Sequence, residues 1–252
     1  VLLNEIVRRD ILDDTSFMVA PISGGDKYHK SEEQAFNEYA QSHSKNGSNV
    51  VAHQGYGMSE STAAASYAKQ NAHVLGSIGI PLLDVTMGIF DYQSYDEYLK
   101  EGSPIEKSFG EIGEICITGP TVMKGYRGDK EETEKILRKH DDGRIWLHTD
   151  DLGHMDSDGR LFHHGRAKRM LTRSGNKVWL NALEETIMKH PNVDTCCCVK
   201  MSDEVEREVP VAYVVMKDEA RLETFEELDM LVSSQNPESY VPMYYVKTNH
   251  IP

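Results

Sequence analysis

The chain has 252 residues, of which 39% are hydrophobic and 27% charged, and its formal net charge is −14. This composition is that of a globular protein, and the length predicts two units, or one large and one small unit. No stretch approaches the ~18 consecutive apolar residues of a membrane span, and the acidic balance excludes sequence-independent binding to nucleic acid or anionic membranes, which requires clustered Lys and Arg.

The first hundred residues are predicted to be of α/β character. A capping box over residues 31–34 marks the start of a helix, in which Ala35, Phe36 and Tyr39 fall on one face. Three short apolar runs bounded by turn residues are predicted as strands: residues 16–22, 49–52 and 85–90.

Residues 54–60, Gln-Gly-Tyr-Gly-Met-Ser-Glu, combine groups that bind nucleotides. Tyr56 supplies a flat ring, Ser59 a hydroxyl and Glu60 a carboxylate, while the glycines allow a tight loop. A predicted strand precedes this segment, and a helix-prone run, residues 61–65, follows it. Because ligands of open α/β sheets collect at the carboxyl ends of strands, the segment is a candidate nucleotide loop. The alternative is a chance match, since glycine-flanked tyrosines are common.

From Gly110 onward the pattern changes to strands separated by glycine and proline. These strands are predicted over residues 113–118, 145–148 and 159–164. One helix interrupts them, with Asp129 as its N-cap, Glu132 at the N3 position and Gly143 beyond its end.

Beyond residue 166 the pattern predicts a compact α+β unit, with a boundary near residues 165–169. Its predicted elements are a strand pair around Gly175, a helix over 182–190 capped by Asn181 and ended by Pro191, strands over 195–201 and 209–216, and a helix capped by Thr224 with Glu227 at N3.

Two further polar positions suit parts of a nucleotide. Asp150 and Asp151 follow a strand, and one carboxylate can accept hydrogen bonds from both hydroxyls of a ribose. The alternative for this pair is a solvated turn. Arg166 follows the flexible Gly165 and suits an anion such as an α-phosphate, the alternative being a basic surface turn.

Metal sites are not favoured by the sequence. Cys196, Cys197 and Cys198 are consecutive, so they point to opposite faces of a strand and cannot all meet one metal; they are interpreted as fillers of a buried strand in a cytoplasmic protein. Residues 156–159 resemble the start of a calcium loop, but Ala167 stands where the bidentate Glu belongs, so a hairpin turn is predicted. Four histidines lack the spacing of a zinc site, and no cysteine is expected near them: His148, His154, His163 and His164.

Taken in order, these motifs resemble the adenylate-forming superfamily of acyl-CoA synthetases, luciferases and peptide-synthetase adenylation domains. The matching segments are residues 56–60, 113–115, 119–120, 125–126, 146–153, 158–162 and 165–166. The similarity extends from about residue 22 to residue 252. It implies the end of an α/β subdomain over residues 1–109, a β-rich subdomain over 110–167, and a small mobile α+β C-terminal domain over 168–252.

The resemblance also implies roles for individual residues. Tyr56 is similar to the residue that stacks on adenine, Ser59 to the hydroxyl at the α-phosphate and Glu60 to the magnesium-binding carboxylate. Asp151 matches the ribose-binding aspartate and Arg166 the arginine that contacts ribose or phosphate. The other implied positions are Gly24, Gly25 and Asp26 on the other side of the adenine, Gly57 in the nucleotide loop, Lys168 at the domain hinge, and Gly175 on the pantetheine path.

The reaction implied by the resemblance has two steps. A carboxylate attacks ATP, with Mg²⁺ bound, to give an acyl-adenylate and pyrophosphate, and the thiol of CoA then displaces AMP to give the thioester. Met58 favours acyl-CoA synthetases, because peptide-synthetase domains usually have Pro at this position. The alternatives are a carrier-protein-loading adenylation domain and a degenerate nucleotide-binding homologue without catalytic activity.

The chain also departs from the family pattern. Ser59 stands where Thr is usual, Asp150 where Gly is usual, and Thr172 where some members have Lys. The family's pyrophosphate loop would precede residue 1, and its final catalytic lysine would follow Pro252. We therefore expect a fragment that binds AMP or ATP weakly and does not catalyse adenylate formation, since it lacks cations that stabilise the transferring phosphate.

Overall fold

The computed structural model describes residues 2–25, 28–69, 73–217 and 225–251. The chain divides into two compact units, Val1–His163 and His164–Pro252. Both units combine helices with sheets, so the predicted mixed fold class is confirmed. The division lies close to the boundary expected after residue 167, and that boundary, like the one expected after residue 109, stays a prediction.

The first unit contains most of the helices and strands of the described chain. Its elements are α1 (Leu2–Arg9), β1 (Ile22–Ser23), α2 (Lys30–Ser42), β2 (His53–Tyr56), β3 (Ser66–Tyr67), β4 (Ile80–Pro81), β5 (Thr86–Phe90), α3 (Tyr95–Glu101), β6 (Gly113–Thr118), α4 (Lys130–Ile136), β7 (Leu137–Lys139), β8 (Ile145–Met155) and β9 (Leu161–Arg166), which runs past the division. One sheet has the order β1-β2-β3-β4, and the other has the order β5-β6-β8-β7, with β9 paired to β8.

The smaller sheet carries the segment 54–60. Strands β1 and β2 are parallel, with Ile22 opposite His53, and β3 is antiparallel to β2. The fully buried Phe36 of α2 packs in one apolar cluster with Val50 and Ala52, which lead into β2. This packing fixes the strand end from which the loop begins.

The larger sheet contains a bulge that shapes the site. Every residue of β6 is buried. Glu114 of β6 pairs with Leu152 of β8, whereas Cys116 pairs with His148, so β8 carries extra residues opposite Ile115. A bulge of this kind bends a strand and re-aims its side chains.

Two strand predictions in the first unit are wrong in position. Only Ile22–Ser23 forms a strand near residues 16–22, because turns precede it: the Ser16 amide donates to the Asp14 carboxylate at 2.9 Å. The strand predicted over 49–52 lies instead at His53–Tyr56. Val50 and Ala52 are buried as predicted, whereas Asn49 is exposed, and the Ala52 amide donates to the side chain of Asn37 at 2.7 Å instead of to a neighbouring strand.

The alanine-rich run after Ser61 was expected to form a helix, but the structure shows no α-helix over residues 61–67. Ser59–Ser61 form one turn of 3₁₀ helix, and the chain then becomes left-handed at Thr62 (φ 56°) and Ala63 (φ 80°). The Ala65 amide donates to the Tyr56 carbonyl at 2.8 Å, and strand β3 follows. Tertiary pairing overrides helix propensity here.

The caps of three predicted helices had mixed outcomes. Asp129 is the N-cap of α4, and its carboxylate accepts from the Glu132 amide at 3.0 Å, as predicted, but the helix ends at Ile136 and the chain continues as β7. Helix α2 is capped by His29 instead of Ser31. The predicted cap Thr224 lies outside the described residues.

The second unit is a three-stranded sheet covered by two helices, with a separate hairpin. Its elements are β10 (Met170–Arg173), β11 (Asn176–Trp179), α5 (Leu180–Ile187), β12 (Val193–Asp203), β13 (Arg207–Met216), α6 (Glu226–Gln235) and β14 (Tyr244–Lys247). The sheet order is β12-β13-β14. Helix α5 starts before the expected cap Asn181, which lies in its first turn.

Glycine and cysteine in this unit follow the sequence pattern. The predicted hairpin closes at Ser174 (φ 49°) and Gly175 (φ 80°), the two left-handed positions of a tight β-turn. Cys196 and Cys198 are buried against Leu183 of α5, and the described cysteines are free thiols. The interpretation of this run as apolar filler is confirmed for these two. Among the described residues, no helix has the length and apolarity to cross a membrane.

Candidate functional site

Tyr56 and Asp151 are 95 residues apart in the chain but hydrogen-bonded in the first unit. The Tyr56 hydroxyl donates to Asp151 Oδ2 at 2.7 Å. Asp151 is only 3% exposed. The ring of His163 lies beside both residues, with its centroid 5.9 Å from that of Tyr56 and its Nε2 3.3 Å from Asp151 Oδ1. The two residues that the resemblance assigns to adenine and ribose are thus neighbours.

The bulge in β8 aims the Asp151 side chain. The Thr149 hydroxyl donates to the Ile115 carbonyl at 2.7 Å and accepts from the Asp151 amide at 3.0 Å. Between them, Asp150 adopts a left-handed φ of 57°, which glycine adopts without strain and aspartate tolerates better than most residues. The carboxylate therefore lies on a locally fixed backbone.

Gly57 is required by close packing of the loop. A Cβ at this position would lie 1.7 Å from the carbonyl oxygen of Ala63, so a larger residue would force the backbone to shift. Gly24 follows β1 and lies against the same loop, since a Cβ there would be 3.4 Å from the Gly55 carbonyl oxygen. Gly25 has a left-handed φ of 90°, and Asp26 lies outside the described residues.

Glu60 is held by the segment around Tyr126. The Tyr126 hydroxyl donates to Glu60 Oε1 at 2.6 Å, and the Met123 amide donates to the Glu60 carbonyl at 2.8 Å. This hydrogen bond to a carboxylate raises the pKa of Tyr126 to about 12. Ser59, the preceding residue, is exposed. The Tyr126 contact was not predicted from the sequence, because Gly125-Tyr126 was identified only as a segment that matches the family and was assigned no role.

Glu60 fits the chemistry of a magnesium ligand. Mg²⁺ is a hard cation that takes oxygen ligands and is usually bound through one or two carboxylates together with substrate phosphates. The Glu60 carboxylate is partly exposed, and Ser59 adds a hydroxyl next to it in the chain. The arrangement supplies one protein carboxylate and an accessible side for phosphate oxygens.

The remaining predicted site residues belong to the second unit. Arg166 ends β9 and precedes a 3₁₀ turn, Ala167–Arg169, that contains Lys168; both Arg166 and Lys168 are exposed. Gly175 lies in the β10–β11 turn, where a Cβ would have open space. The roles assigned to these three residues stay predictions.

The expectation that no cysteine lies near the four histidines of residues 148–164 is wrong, because a cysteine lies beside His148. Cys116 Sγ is 3.7 Å from His148 Nδ1, because the two residues pair across β6 and β8. With Glu114 they form a group close enough to hold a metal ion among the described residues. Burial raises the pKa of the Cys116 thiol well above its usual range.

Comparison with known families matches residues 7–127 to the AMP-binding enzyme family and residues 182–252 to the C-terminal domain of AMP-binding enzymes. The chain belongs to this family. One relative is 4-coumarate–CoA ligase 1 of Glycine max, 35% identical over 187 residues, which are 72% of this chain and 59% of that protein. The chain thus spans little more than half of this relative.

Solved structures with the same fold cover nearly the whole chain. The amide bond synthetase McbA from Marinactinospora thermotolerans has a TM-score of 0.80 and 26% identity, over 99% of this chain and 47% of that one. An ATP-bound RpMatB-BxBclM chimera has a TM-score of 0.77 and 26% identity, over 92% of this chain and 42% of its own. The chain is therefore similar to a part of each of these proteins.

Proposed function

We propose that this chain forms the nucleotide-binding side of an ATP-dependent acid–CoA ligase. The observation that carries the proposal is the hydrogen bond from Tyr56 to Asp151, which joins an aromatic ring to a buried carboxylate. A ring suits adenine, and a carboxylate suits the two hydroxyls of the adjoining ribose. The 4-coumarate–CoA ligase relative supports an acid as substrate and CoA as acceptor.

The proposed nucleotide contacts follow from the chemistry of each residue. Tyr56 would stack on adenine, with the backbone of Gly24 and Gly25 on the other side. Asp151 would accept hydrogen bonds from the ribose hydroxyls, and such charge-assisted bonds are strong where water is excluded. The Ser59 hydroxyl would bind the α-phosphate, and the Arg166 guanidinium would contact the ribose or phosphate.

Glu60 would hold Mg²⁺ against the phosphates. When bound, the ion would neutralise negative charge on the ATP phosphates during transfer of the adenylyl group. The chain's own contribution is orientation, because the Tyr126 hydroxyl and the Met123 amide fix Glu60 on both its side chain and its backbone. For the second step we propose Lys168 as the hinge and Gly175 on the path of the pantetheine of CoA.

The test uses the full-length protein that contains this chain, in an ATP–pyrophosphate exchange screen over carboxylic acids that includes 4-coumarate. Acids that support exchange are then combined with CoA, a phosphopantetheinyl carrier protein or an amine. We expect AMP release with CoA. Release only with the carrier protein or the amine would overturn the CoA assignment.

We further propose that residues 1–252 alone bind AMP or ATP weakly and support no exchange, because the chain spans only part of the ligase that it matches, 59% of the Glycine max protein. Exchange by residues 1–252 would contradict this expectation.

A non-catalytic nucleotide-binding protein is the second candidate, and Asp150 favours it. The family resemblance has glycine at this left-handed position, where Asp150 has a φ of 57°. This candidate predicts AMP binding by the full-length protein without pyrophosphate exchange for any acid.

A further inference from the structure

A buried chain of three titratable side chains lies beside the bulge that carries Asp151. Glu114, His148 and His140 are 0%, 3% and 5% exposed. Glu114 Oε2 lies 2.8 Å from His148 Nδ1, and His148 Nε2 lies 2.9 Å from His140 Nε2. The catalytic roles proposed above do not use these residues.

The direction of these hydrogen bonds follows from the donor inventory of each group. A carboxylate only accepts, so His148 donates to Glu114 through Nδ1–H. The contact between the Nε2 atoms of His148 and His140 is then a hydrogen bond in which one of the two nitrogens carries the hydrogen and the other accepts it. Burial and the neighbouring His148 lower the pKa of His140 to about 4, so this ring is neutral at pH 7. The Trp146 ring stacks on His140 with centroids 5.6 Å apart and fixes its orientation.

The other oxygen of Glu114 holds the backbone of the bulge. Glu114 Oε1 accepts from the Asp150 amide at 2.9 Å, at the residue with the left-handed φ of 57°. Asp151 is the next residue, and its side chain accepts from Tyr56. A single buried carboxylate thus connects the histidine pair to the strained residue that precedes the proposed ribose ligand. Strained backbone persists only where its surroundings hold it.

We propose that Glu114, supported by His148 and His140, is a positioning residue for ribose recognition by Asp151. Glu114 acts through the Asp150 amide, without touching the nucleotide. This inference rests on the proposed function, because it takes Asp151 as the ribose ligand. It implies that preference for the ribose hydroxyls depends on a side chain outside the binding site.

The test compares AMP with 2′,3′-dideoxy-AMP, each titrated into residues 1–252 and followed by NMR. Glu114→Ala should weaken AMP binding about tenfold, the loss expected for a misplaced hydrogen bond to a charged group. Binding of the dideoxy nucleotide should not change. Glu114→Gln keeps an oxygen for the Asp150 amide and should restore most of the preference for AMP. A purely structural role would weaken both nucleotides equally and overturn the proposal.

The matched control is Thr118→Val on the same strand. It removes a hydrogen bond from the Thr118 hydroxyl to the Ile145 carbonyl, 2.8 Å long, without a contact to the bulge. Both nucleotides should bind this variant as they bind the wild type. A loss of ribose preference in Thr118→Val would assign the effect to general loosening of the sheet and overturn the proposal.

Asp151→Ala separates this inference from the proposed function. If Asp151→Ala loses the preference for AMP while Glu114→Ala keeps it, the positioning role is wrong and the ribose site stands. If Asp151→Ala keeps the preference, the ribose assignment itself is wrong. Either outcome is read from the same titrations.

A measurement on the unmodified chain keeps the proposal testable if Glu114→Ala does not fold. The Asp150 amide hydrogen should exchange slowly with solvent, because it is donated to a buried carboxylate. Exchange as fast as that of an open turn would overturn the proposal. Added Zn²⁺ should leave the ring nitrogens of His148 unchanged, whereas a specific shift at one equivalent would assign Glu114, Cys116 and His148 to a metal site instead.

Discussion

Two tyrosine–carboxylate pairs in the first unit have the same chemistry in different surroundings. Tyr56 donates to Asp151 at 2.7 Å, and Tyr126 donates to Glu60 at 2.6 Å. Asp151 is 3% exposed, whereas Tyr126 is 39% exposed. Breaking a buried pair leaves a polar group without solvent, while the partners of an exposed pair are rehydrated. The buried pair therefore suits rigid recognition, and the exposed pair suits a ligand that must accept an incoming cation.

The largest effect is expected for Asp151→Ala. This change leaves the Tyr56 hydroxyl without its acceptor and removes the carboxylate near His163, so it should lower the free energy of unfolding by about 2–3 kcal/mol. Urea unfolding monitored by circular dichroism measures the loss. A change below about 0.5 kcal/mol would show that the buried pair contributes little and would remove the contrast between the two pairs.

Tyr56→Phe should have the next largest effect on stability, about 1–2 kcal/mol, because it leaves Asp151 Oδ2 without its donor. The ring is retained, so AMP affinity should fall less than in Tyr56→Ala. Urea unfolding and AMP titration give the two values. The control is Tyr213→Phe, which removes a partly exposed hydroxyl in the second unit and should leave both unchanged. Equal AMP affinity in Tyr56→Phe and Tyr56→Ala would contradict stacking by the ring.

Glu60→Gln should lower the pKa of Tyr126 from about 12 toward 10, because the carboxylate is what holds the phenol in its protonated form. A raised pKa in the folded state means stability that is present below pH 10 and is lost as the pH rises through about 12. Ultraviolet difference titration, with Tyr126→Phe subtracted to isolate this residue, measures the pKa. An unchanged Tyr126 titration in Glu60→Gln would be evidence against the pair in solution.

The smallest effect is expected for Tyr126→Phe, with less than about 0.5 kcal/mol lost, since solvent replaces an exposed donor. Urea unfolding of Tyr126→Phe and Tyr56→Phe measures the free energy lost when one hydroxyl is removed from an exposed pair and from a buried pair. A loss as large as that of Tyr56→Phe would mean that exposure does not distinguish the two pairs.

The local sequence pattern predicted structure best where residues close together in the chain determine the conformation. Strand Gly113–Thr118, the Asp129 cap and the hairpin at Gly175 lie where the sequence predicted them. The alanine run after Ser61 was misread because pairing with β2 outweighs its helix propensity. The nearness of Cys116 to His148 was also missed, since it depends on strand pairing between residues that are distant in the chain.

The sequence by itself determined which chemical groups are present and in what order: the ring, hydroxyl and carboxylate of residues 54–60, the later Asp151, and through them the family. Tertiary structure decided which groups meet. Tyr56 reaches Asp151, and Glu114 reaches the Asp150 amide, through the register and bulge of a sheet. Local propensities do not encode that register, because it is set by packing between strands far apart in the chain.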